Sequence, residues 1–329
     1  MAPPEAHPAV AMGVLIGAEM PDFDYAIRLW GGRIAYLKNH RGPTHGLAVL
    51  PLLSGLVAGL LHYAWPGAPA FWTLMLWTLL GGLSHVFFDL CNDYGTQGLW
   101  PFSRRWVALD LLPIIDVWTL GLIVVGWILT WATPLPREAI FGGVWLLITL
   151  YVAGRFWLRR QAFQLVTAHF DLSPDCGAVV PCGPGWRGER VTIQPRLLSL
   201  NAWRYVVQMP REYWVGTVWV RQGRVGDPER ARNQHDRVVL ASLKSQFVTA
   251  FAGWTRLPRV QVDRVESLYR VRWSEARYEQ ENFSPFTAFA WLDSDLQLVD
   301  EGFGQYRPQA IDQEMMRRRL RIEMGRQDP

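Results

Sequence analysis

The chain has 329 residues, a formal net charge of +4 and three cysteines, and half of its residues are hydrophobic. Its length allows two domains. The odd number of cysteines argues against a disulfide scaffold, and the basic residues form no nucleic-acid motif, so we expect no nucleic-acid partner and attribute the basicity to attraction to a membrane surface. Residues 47–158 are mostly apolar, whereas the chain from Arg159 onward is charged and polar. The sequence therefore predicts a membrane-embedded domain over residues 1–160 and a soluble domain over 161–329.

The apolar segments of the first half predict a helical membrane bundle. Residues 9–18 are too few to cross a bilayer and lack the features of a signal peptide, so we predict a short buried or re-entrant helix there. Longer stretches follow, each near the roughly 20 residues that a spanning helix needs. There are four of them, at residues 47–65, 70–90, 111–132 and 139–158.

The positive charges predict how this bundle is oriented. One end of the bundle receives nearly all of the Lys and Arg residues near the predicted spans, and the other end receives only Arg137. The basic end holds Arg28, Arg33, Lys38, Arg41, Arg104, Arg105, Arg159 and Arg160. By the positive-inside rule that end faces the cytoplasm of a bacterial-type inner membrane, and the soluble domain lies on the same side.

The second half of the chain shows alternating apolar and polar residues. This period of two predicts β-strands at residues 203–209, 213–223, 269–278 and 286–302. Residues 229–254 and the basic tail at 314–325 are typical of helices. The predicted architecture is an α-helical membrane bundle of about four spans and a short N-terminal helix, followed by a cytoplasmic α+β, strand-rich domain.

Histidine and aspartate residues concentrate at the predicted cytoplasmic end of the bundle. Ionisable groups inside membrane spans are costly and are usually functional. Mixed imidazole and carboxylate ligands suit Zn²⁺, Mn²⁺ or Fe²⁺. His85 and Asp89 are four residues apart and so share one helix face. The set comprises Asp22 and Asp24 in "MPDFDY", His40 and His45 in "HRGPTH", His85 and Asp89 in "LSHVFFDL", and Asp110 and Asp116 in "ALDLLPIIDVW". The pattern predicts a divalent-metal site for one or two ions.

Taken singly, these residues have plainer interpretations. An isolated His85 is typical of a packed histidine, Asp22 and Asp24 are common turn residues, and Asp110 is compatible with an interfacial cap. Arg41 is compatible with a phosphate ligand or with a positive-inside anchor. The stretch "NDYGTQGLWPF" predicts a loop that covers the site.

Five motifs in order resemble those of the inner-membrane-associated metal-dependent hydrolases, a family that includes the LexA-binding membrane protein. The resemblance covers about residues 9–160 and rests on "PDFD", "HRGPTHG", "LSHVFFDL", "YGTQGLWPFSRR" and "LDLLPIIDVW". It implies a distant relation to zinc-dependent phospholipase C and P1 nuclease, with zinc as the cofactor. The implied ligands are Asp22, Asp24, His40, His45, His85, Asp89 and Asp116. The family also carries a Thr-His pair upstream of "PDFD", whereas here His7 lies in "EAHPAV".

Two functions remain open from the sequence. The first is a metal-dependent hydrolase that uses metal-activated water on a phosphoester or lipid-like substrate at the cytoplasmic face, with Asp24 or Asp110 as general base. The second is a non-enzymatic membrane scaffold in which the metal is structural and the cytoplasmic domain binds a regulatory protein. A transporter is less favoured, because residues 50–59 and 124–130 contain no ionisable side chain.

Overall fold

The computed structural model of the chain describes residues 7–172, 190–234, 236–279 and 284–306. Cys176, Cys182 and the predicted helical tail lie outside these residues. The chain divides into two compact units. The first contains the described residues up to 207 and residues 214–229, and the second contains residues 208–213 and the described residues from 230 onward.

Six α-helices build most of the first unit. They are α1 (Pro8–Glu19), α2 (Ile27–Asn39), α3 (Leu50–Ala64), α4 (Phe71–Cys91), α5 (Val117–Ala132) and α6 (Arg137–His169). Short 3-10 turns, Met20–Ala26 and Pro43–His45, connect α1 to α2 and lead into α3. The helical character predicted for the N-terminal region is therefore confirmed.

Helix α1 lies against α4 at very short range, and glycines make this approach possible. A Cβ atom added at Gly17 would lie 2.1 Å from the Thr78 carbonyl oxygen, and one added at Gly81 would lie 2.4 Å from the Val14 carbonyl oxygen. Because no side chain fits between these backbones, the two helices can pack directly on each other. Contact with α4 buries the predicted short helix at Ala9 and Val10.

The structure does not confirm the four membrane spans that the sequence predicts. Among the described residues, two helices are by themselves long and apolar enough to cross a bilayer, α4 with 21 residues and α6 with 33. Helix α3 qualifies only together with the preceding helical segment Ile34–His45, from which it is bent by 77°. Helix α5 is shorter because Asp116 caps its N-terminus, so that the helix begins at Val117 and not at residue 111. The structure supports two spans, or three if the bent pair is one.

A first β-sheet follows α6. It contains β1 (Arg190–Pro195), β2 (Ala202–Gln208), β3 (Glu212–Trp219), β4 (Arg224–Val225) and β5 (Glu229–Arg232). The strand order is β1-β2-β3-β4, and β5 pairs with β3. Strand β1 was not predicted, although Val191 and Ile193 alternate with polar residues in it.

The second unit contains an antiparallel four-stranded sheet and two helices. These are α7 (Arg237–Ser242), α8 (Gln246–Trp254), β6 (Pro258–Val265), β7 (Leu268–Glu275), β8 (Ser284–Leu292) and β9 (Leu298–Tyr306), with the strands in sequential order. The single helix predicted at 229–254 is wrong. Residues 229–232 form β5, and the side chains of Asp236 and Ser245 each cap a separate helix.

A fully buried carboxylate holds the start of β6 and the end of β7 in place. The Glu275 side chain accepts hydrogen bonds from the Thr255 hydroxyl at 2.8 Å and from the backbone N–H of Arg256 at 2.7 Å. It also pairs with the Arg277 guanidinium at 2.9 Å. Burial raises the pKa of Glu275, but the Arg277 charge and these donors outweigh burial and bring the pKa to about 2.

Candidate functional site

Three short elements of the first unit bring the predicted ligands together. The 3-10 turn after α1 carries Asp22 and Asp24, the 3-10 turn before α3 carries His45, and α4 carries His85 and Asp89 one helical turn apart. The Pro21 and Pro43 rings begin these two turns. Proline suits the first position of a helical turn because its fixed φ matches the helix and no N–H is lost there.

Four ligand atoms face one another at the centre of this cluster. The Nε2 atom of His45 lies 3.4 Å from Asp22 Oδ1 and 3.2 Å from Asp89 Oδ2. The Nε2 atom of His85 lies 3.7 Å from Asp22 Oδ1 and 3.5 Å from Asp89 Oδ2. All four atoms are buried, and none has a hydrogen-bond partner. Buried polar atoms are usually paired in proteins, so these four atoms are candidates for binding an ion.

The other nitrogen of each histidine is already engaged. His85 Nδ1 lies 2.7 Å from the carbonyl oxygen of Ala18, which can only accept a hydrogen bond, so Nδ1 carries the proton. His45 Nδ1 lies 3.2 Å from the Thr44 hydroxyl and 3.7 Å from Asp24 Oδ2. On His85 this leaves an unshared electron pair on Nε2, which is the usual outer-shell support of metal-binding histidines. The Thr44 hydroxyl donates to Asp24 at 3.3 Å and is therefore able to accept the Nδ1 proton of His45 in the same way.

The Asp89 carboxylate is held in place through its outer oxygen. The outer oxygen of Asp89, Oδ1, pairs with the Arg41 guanidinium at 3.1 Å and accepts a hydrogen bond from the Asn92 side chain at 3.1 Å. Asp89 Oδ2 is thereby directed at the two histidines.

Asp24 and His40 form a second group beside the first. The ligand atoms of Asp22, Asp24 and His40 lie within 4.8 Å of one another, as do those of Asp22, His45 and His85. Both oxygens of Asp24 are engaged: Oδ1 lies 2.9 Å from His40 Nδ1, and Oδ2 accepts the Arg41 backbone N–H at 2.7 Å. Asp24 therefore supports its neighbours through hydrogen bonds as well as offering a ligand position.

Asp110 and Asp116 make their described contacts elsewhere. Asp116 caps α5 by accepting the Thr119 N–H at 2.7 Å, and its second oxygen accepts the Tyr151 hydroxyl at 2.9 Å. Asp110 is buried and lies 3.5 Å from the Arg159 guanidinium. Among the described residues, neither belongs to the two groups of converging ligand atoms. Their assignment as a ligand and a base stays a prediction.

Arg41 has a structural role that the sequence did not reveal. Besides Asp89, its guanidinium contacts the carbonyl oxygen of Gly95 at 3.2 Å and lies 4.5 Å from the centre of the Tyr94 ring. These contacts join residues some 50 positions apart in the chain and hold the guanidinium against Asp89. The loop predicted to cover the site does pack on this segment: Thr96 and Gln97 both donate to the Arg41 carbonyl oxygen.

His7 does not replace the upstream histidine of the resembling family. Its Nδ1 caps α1 by accepting the Ala9 N–H at 3.1 Å, and its ring packs edge to face on Trp65. Trp65 follows the far end of α3, so His7 lies away from the cluster.

Comparison with known proteins divides the chain in a similar way. Residues 1–162 match the family described as the YdjM inner membrane protein. Residues 237–315 match the YfhP C-terminal alpha/beta plait domain. The uncharacterized protein YfhP of Bacillus subtilis (strain 168) is 27% identical over 303 residues, which cover 89% of this chain and 84% of that protein. No solved structure matches the chain. These matches support membrane association through a YdjM-like N-terminal region and an α/β plait in the C-terminal region.

Proposed function

We propose that the protein is a membrane-embedded, metal-dependent hydrolase whose ion lies between Asp22, His45, His85 and Asp89. The observation that carries this proposal is the set of four buried ligand atoms that point at one another without hydrogen-bond partners. Two imidazole nitrogens and two carboxylate oxygens form a donor set that suits Zn²⁺, with Mn²⁺ or Fe²⁺ as alternatives.

The surroundings of these four atoms suit a bound cation better than they suit an internal hydrogen-bond network. Each imidazole offers its Nε2 lone pair because Nδ1 is engaged by a backbone carbonyl or by the Thr44–Asp24 pair. The facing nitrogen and oxygen atoms lie 3.2–3.7 Å apart, and none of these contacts meets hydrogen-bond geometry. The donor atoms therefore fit a divalent ion.

A divalent ion at this position supplies a Lewis acid that lowers the pKa of a water molecule and polarises a phosphoryl or acyl oxygen. The residues of the chain have separable tasks. Asp22, with a half-exposed side chain, lies on the open side of the cluster, whereas His45 is completely buried. Arg41 and Asn92 position Asp89, and Asp24 orients both His45 and His40. His40 and Asp24 offer a position for a second ion that would share Asp22.

The substrate class that we propose is a phosphoester or lipid-like molecule. Its support is the position of the cluster, because His85 and Asp89 lie in the last two turns of α4, one of the two helices able to span a bilayer. Such a position is close to the depth of lipid head groups. The excess of Lys and Arg at this end supports a cytoplasmic orientation in the inner membrane.

Metal analysis of the purified, full-length protein tests the proposal. Wild type should contain a stoichiometric divalent metal, and His85→Gln and Asp89→Asn should each lower the metal affinity more than about tenfold, because outer-shell changes alone cost about 10- to 100-fold. His62→Gln is the matched control, since His62 is an exposed histidine that contacts only the Pro69 carbonyl oxygen in the described contacts. Equal metal content in all four proteins would contradict the proposal.

The scaffold function is the second candidate, and catalysis distinguishes it from the first. It is favoured by the engaged state of Asp24 and Asp89, which resembles a closed structural site. Wild type loaded with metal should hydrolyse a phosphoester in a substrate screen if the site is catalytic. Bound metal without turnover of any ester would favour a structural metal and a cytoplasmic domain that binds a regulatory protein.

A further inference from the structure

An exposed, leucine-rich loop lies in the first unit between β1 and β2. It comprises residues 196–201 and is called here the leucine loop. The side chains of Leu197 and Leu198 are 50% and 71% exposed, and that of Leu200 is 37% exposed. Neighbouring large apolar side chains in one short loop are unusual on a surface that contacts water, and they typically mark an interaction site.

The leucine loop is attached to a membrane-type helix by one buried arginine. The guanidinium of Arg155, in α6, donates from Nη1 to the carbonyl oxygens of Ser199 at 3.1 Å and Leu200 at 3.3 Å. Its flat face lies 4.0 Å from the centre of the Trp203 ring at the start of β2. With 2% of its surface exposed, Arg155 fixes the loop to this level of the helix.

The position of Arg155 along α6 sets the depth of the leucine loop. Arg155 is 18 residues after Arg137, the first residue of α6. At a rise of 1.5 Å per residue this is about 27 Å, close to the roughly 30 Å thickness of the hydrocarbon core. If α6 crosses the bilayer from its N-terminus, the loop is held at the opposite boundary of the hydrocarbon. Phe156 and Trp157, the next two residues of α6, are more than half exposed.

Basic side chains surround the leucines. Arg196 begins the loop, Arg221 lies in the turn between β3 and β4, and Arg224 begins β4, all three being exposed. That turn lies beside the loop because Asn201 accepts the Arg221 N–H and donates to the Gln222 side chain. A leucine tip with an arginine border is complementary to a bilayer surface that contains anionic lipids.

We propose that the leucine loop is a membrane-interface anchor that inserts Leu197 and Leu198 between lipids at the C-terminal end of the α6 span. Arg196, Arg221 and Arg224 contact anionic head groups around it. The anchor fixes the first β-sheet against the bilayer. This proposal depends on α6 being a span and is independent of whether the cluster of Asp22, His45, His85 and Asp89 binds metal.

Depth measurement on the full-length protein in lipid nanodiscs tests the anchor. A spin label is attached to Leu198→Cys in a Cys176→Ser, Cys182→Ser background, in which the remaining Cys91 is buried. Collision rates with oxygen, which concentrates in lipid, and with a water-soluble nickel complex give the depth of the label. The control is Asp227→Cys, an exposed position two residues beyond β4. Leu197→Cys is a second reporter in the loop.

The anchor predicts that labels at 197 and 198 collide preferentially with oxygen and the label at 227 with nickel. Replacing phosphatidylcholine nanodiscs with ones that contain phosphatidylserine should deepen the loop labels. In nanodiscs with phosphatidylserine, the combined variant Arg196→Gln, Arg221→Gln should lower the ratio of inserted to withdrawn loop. The expected decrease is about fivefold for each arginine removed. Loop labels that are as accessible to nickel as position 227 would overturn the proposal, and indifference to anionic lipid would overturn the role of the arginines.

Discussion

Replacing Glu275 by glutamine should strongly destabilise the second unit, and the effect should depend on pH in a defined direction. Glu275 is fully buried, yet its pKa lies at about 2, below the ordinary value of 4.5. A lowered carboxyl pKa means that the folded state favours the charged form, so the resulting stabilisation is complete above pH 4.5 and is lost as the pH falls towards about 2. The difference corresponds to ~3 kcal/mol, at about 1.4 kcal/mol for each pKa unit.

Glu275→Gln removes the charge but keeps the shape, and it breaks the buried ion pair with the Arg277 guanidinium. Removing one partner of a buried pair costs about 3–5 kcal/mol, in agreement with the value from the pKa. Hydrogen exchange of the β7 amides in the full-length protein is a suitable assay because it reports opening of this unit separately from the membrane helices. We expect about 150-fold faster exchange at pH 7.

The control for this prediction is Glu301→Gln, which alters a surface carboxylate that accepts the Gln246 N–H at 2.8 Å. Because glutamine can still accept that bond, exchange should change by less than about fivefold. In wild type, protection of β7 should fall between pH 4.5 and 2, whereas in Glu275→Gln this component should be missing. A Glu275→Gln protein with wild-type protection, or with the wild-type pH dependence, would refute the explanation.

Two further outcomes concern the membrane unit. Gly17→Ala should destabilise the protein by about 1–3 kcal/mol in thermal unfolding, because the new Cβ meets the Thr78 carbonyl oxygen at 2.1 Å. The control is Gly121→Ala, where no atom lies within 4 Å of the new carbon, and it should leave the melting temperature unchanged or higher. Equal destabilisation by both variants would contradict this packing. Asp116→Ala should lower stability by about 1–2 kcal/mol through loss of the α5 cap while metal content stays at the wild-type level, and loss of metal would instead return Asp116 to the ligand set.

The candidate site was accessible from the sequence because its key spacings are local. His85 and Asp89 are four residues apart on a helix, and the two prolines that start the 3-10 turns lie next to the other ligands. The sequence does not reveal which ligand atoms lack a hydrogen-bond partner, since this depends on contacts between distant segments. The pairing of Arg41 with Asp89 and of Asp116 with Tyr151 joins residues 48 and 35 positions apart.

The errors in the fold have similarly specific causes. Hydropathy alone placed the start of α5 too early, because it does not register that Asp116 is a cap. The residues before Asp116 contact the C-terminal end of α4, where Leu112 bridges to Asn92. The helical pattern at 229–254 hid two N-caps, Asp236 and Ser245, each of which starts a separate helix. Strands β1 and β6 do alternate and were within reach of the pattern used for their neighbours.

The contact between His85 and Ala18 makes one backbone atom of α1 responsible for the orientation of an imidazole 67 residues away. A substitution at Ala18 changes its side chain but not its main-chain carbonyl, so the acceptor stays in place. What can remove it is a shift of the whole helix, and the nearby Gly17 is where such a shift is easiest to cause. The orientation of His85 is thus insensitive to the side chain at position 18 and sensitive to the packing of α1 on α4. Changes in that packing offer a way to adjust the site without altering any residue that lines it.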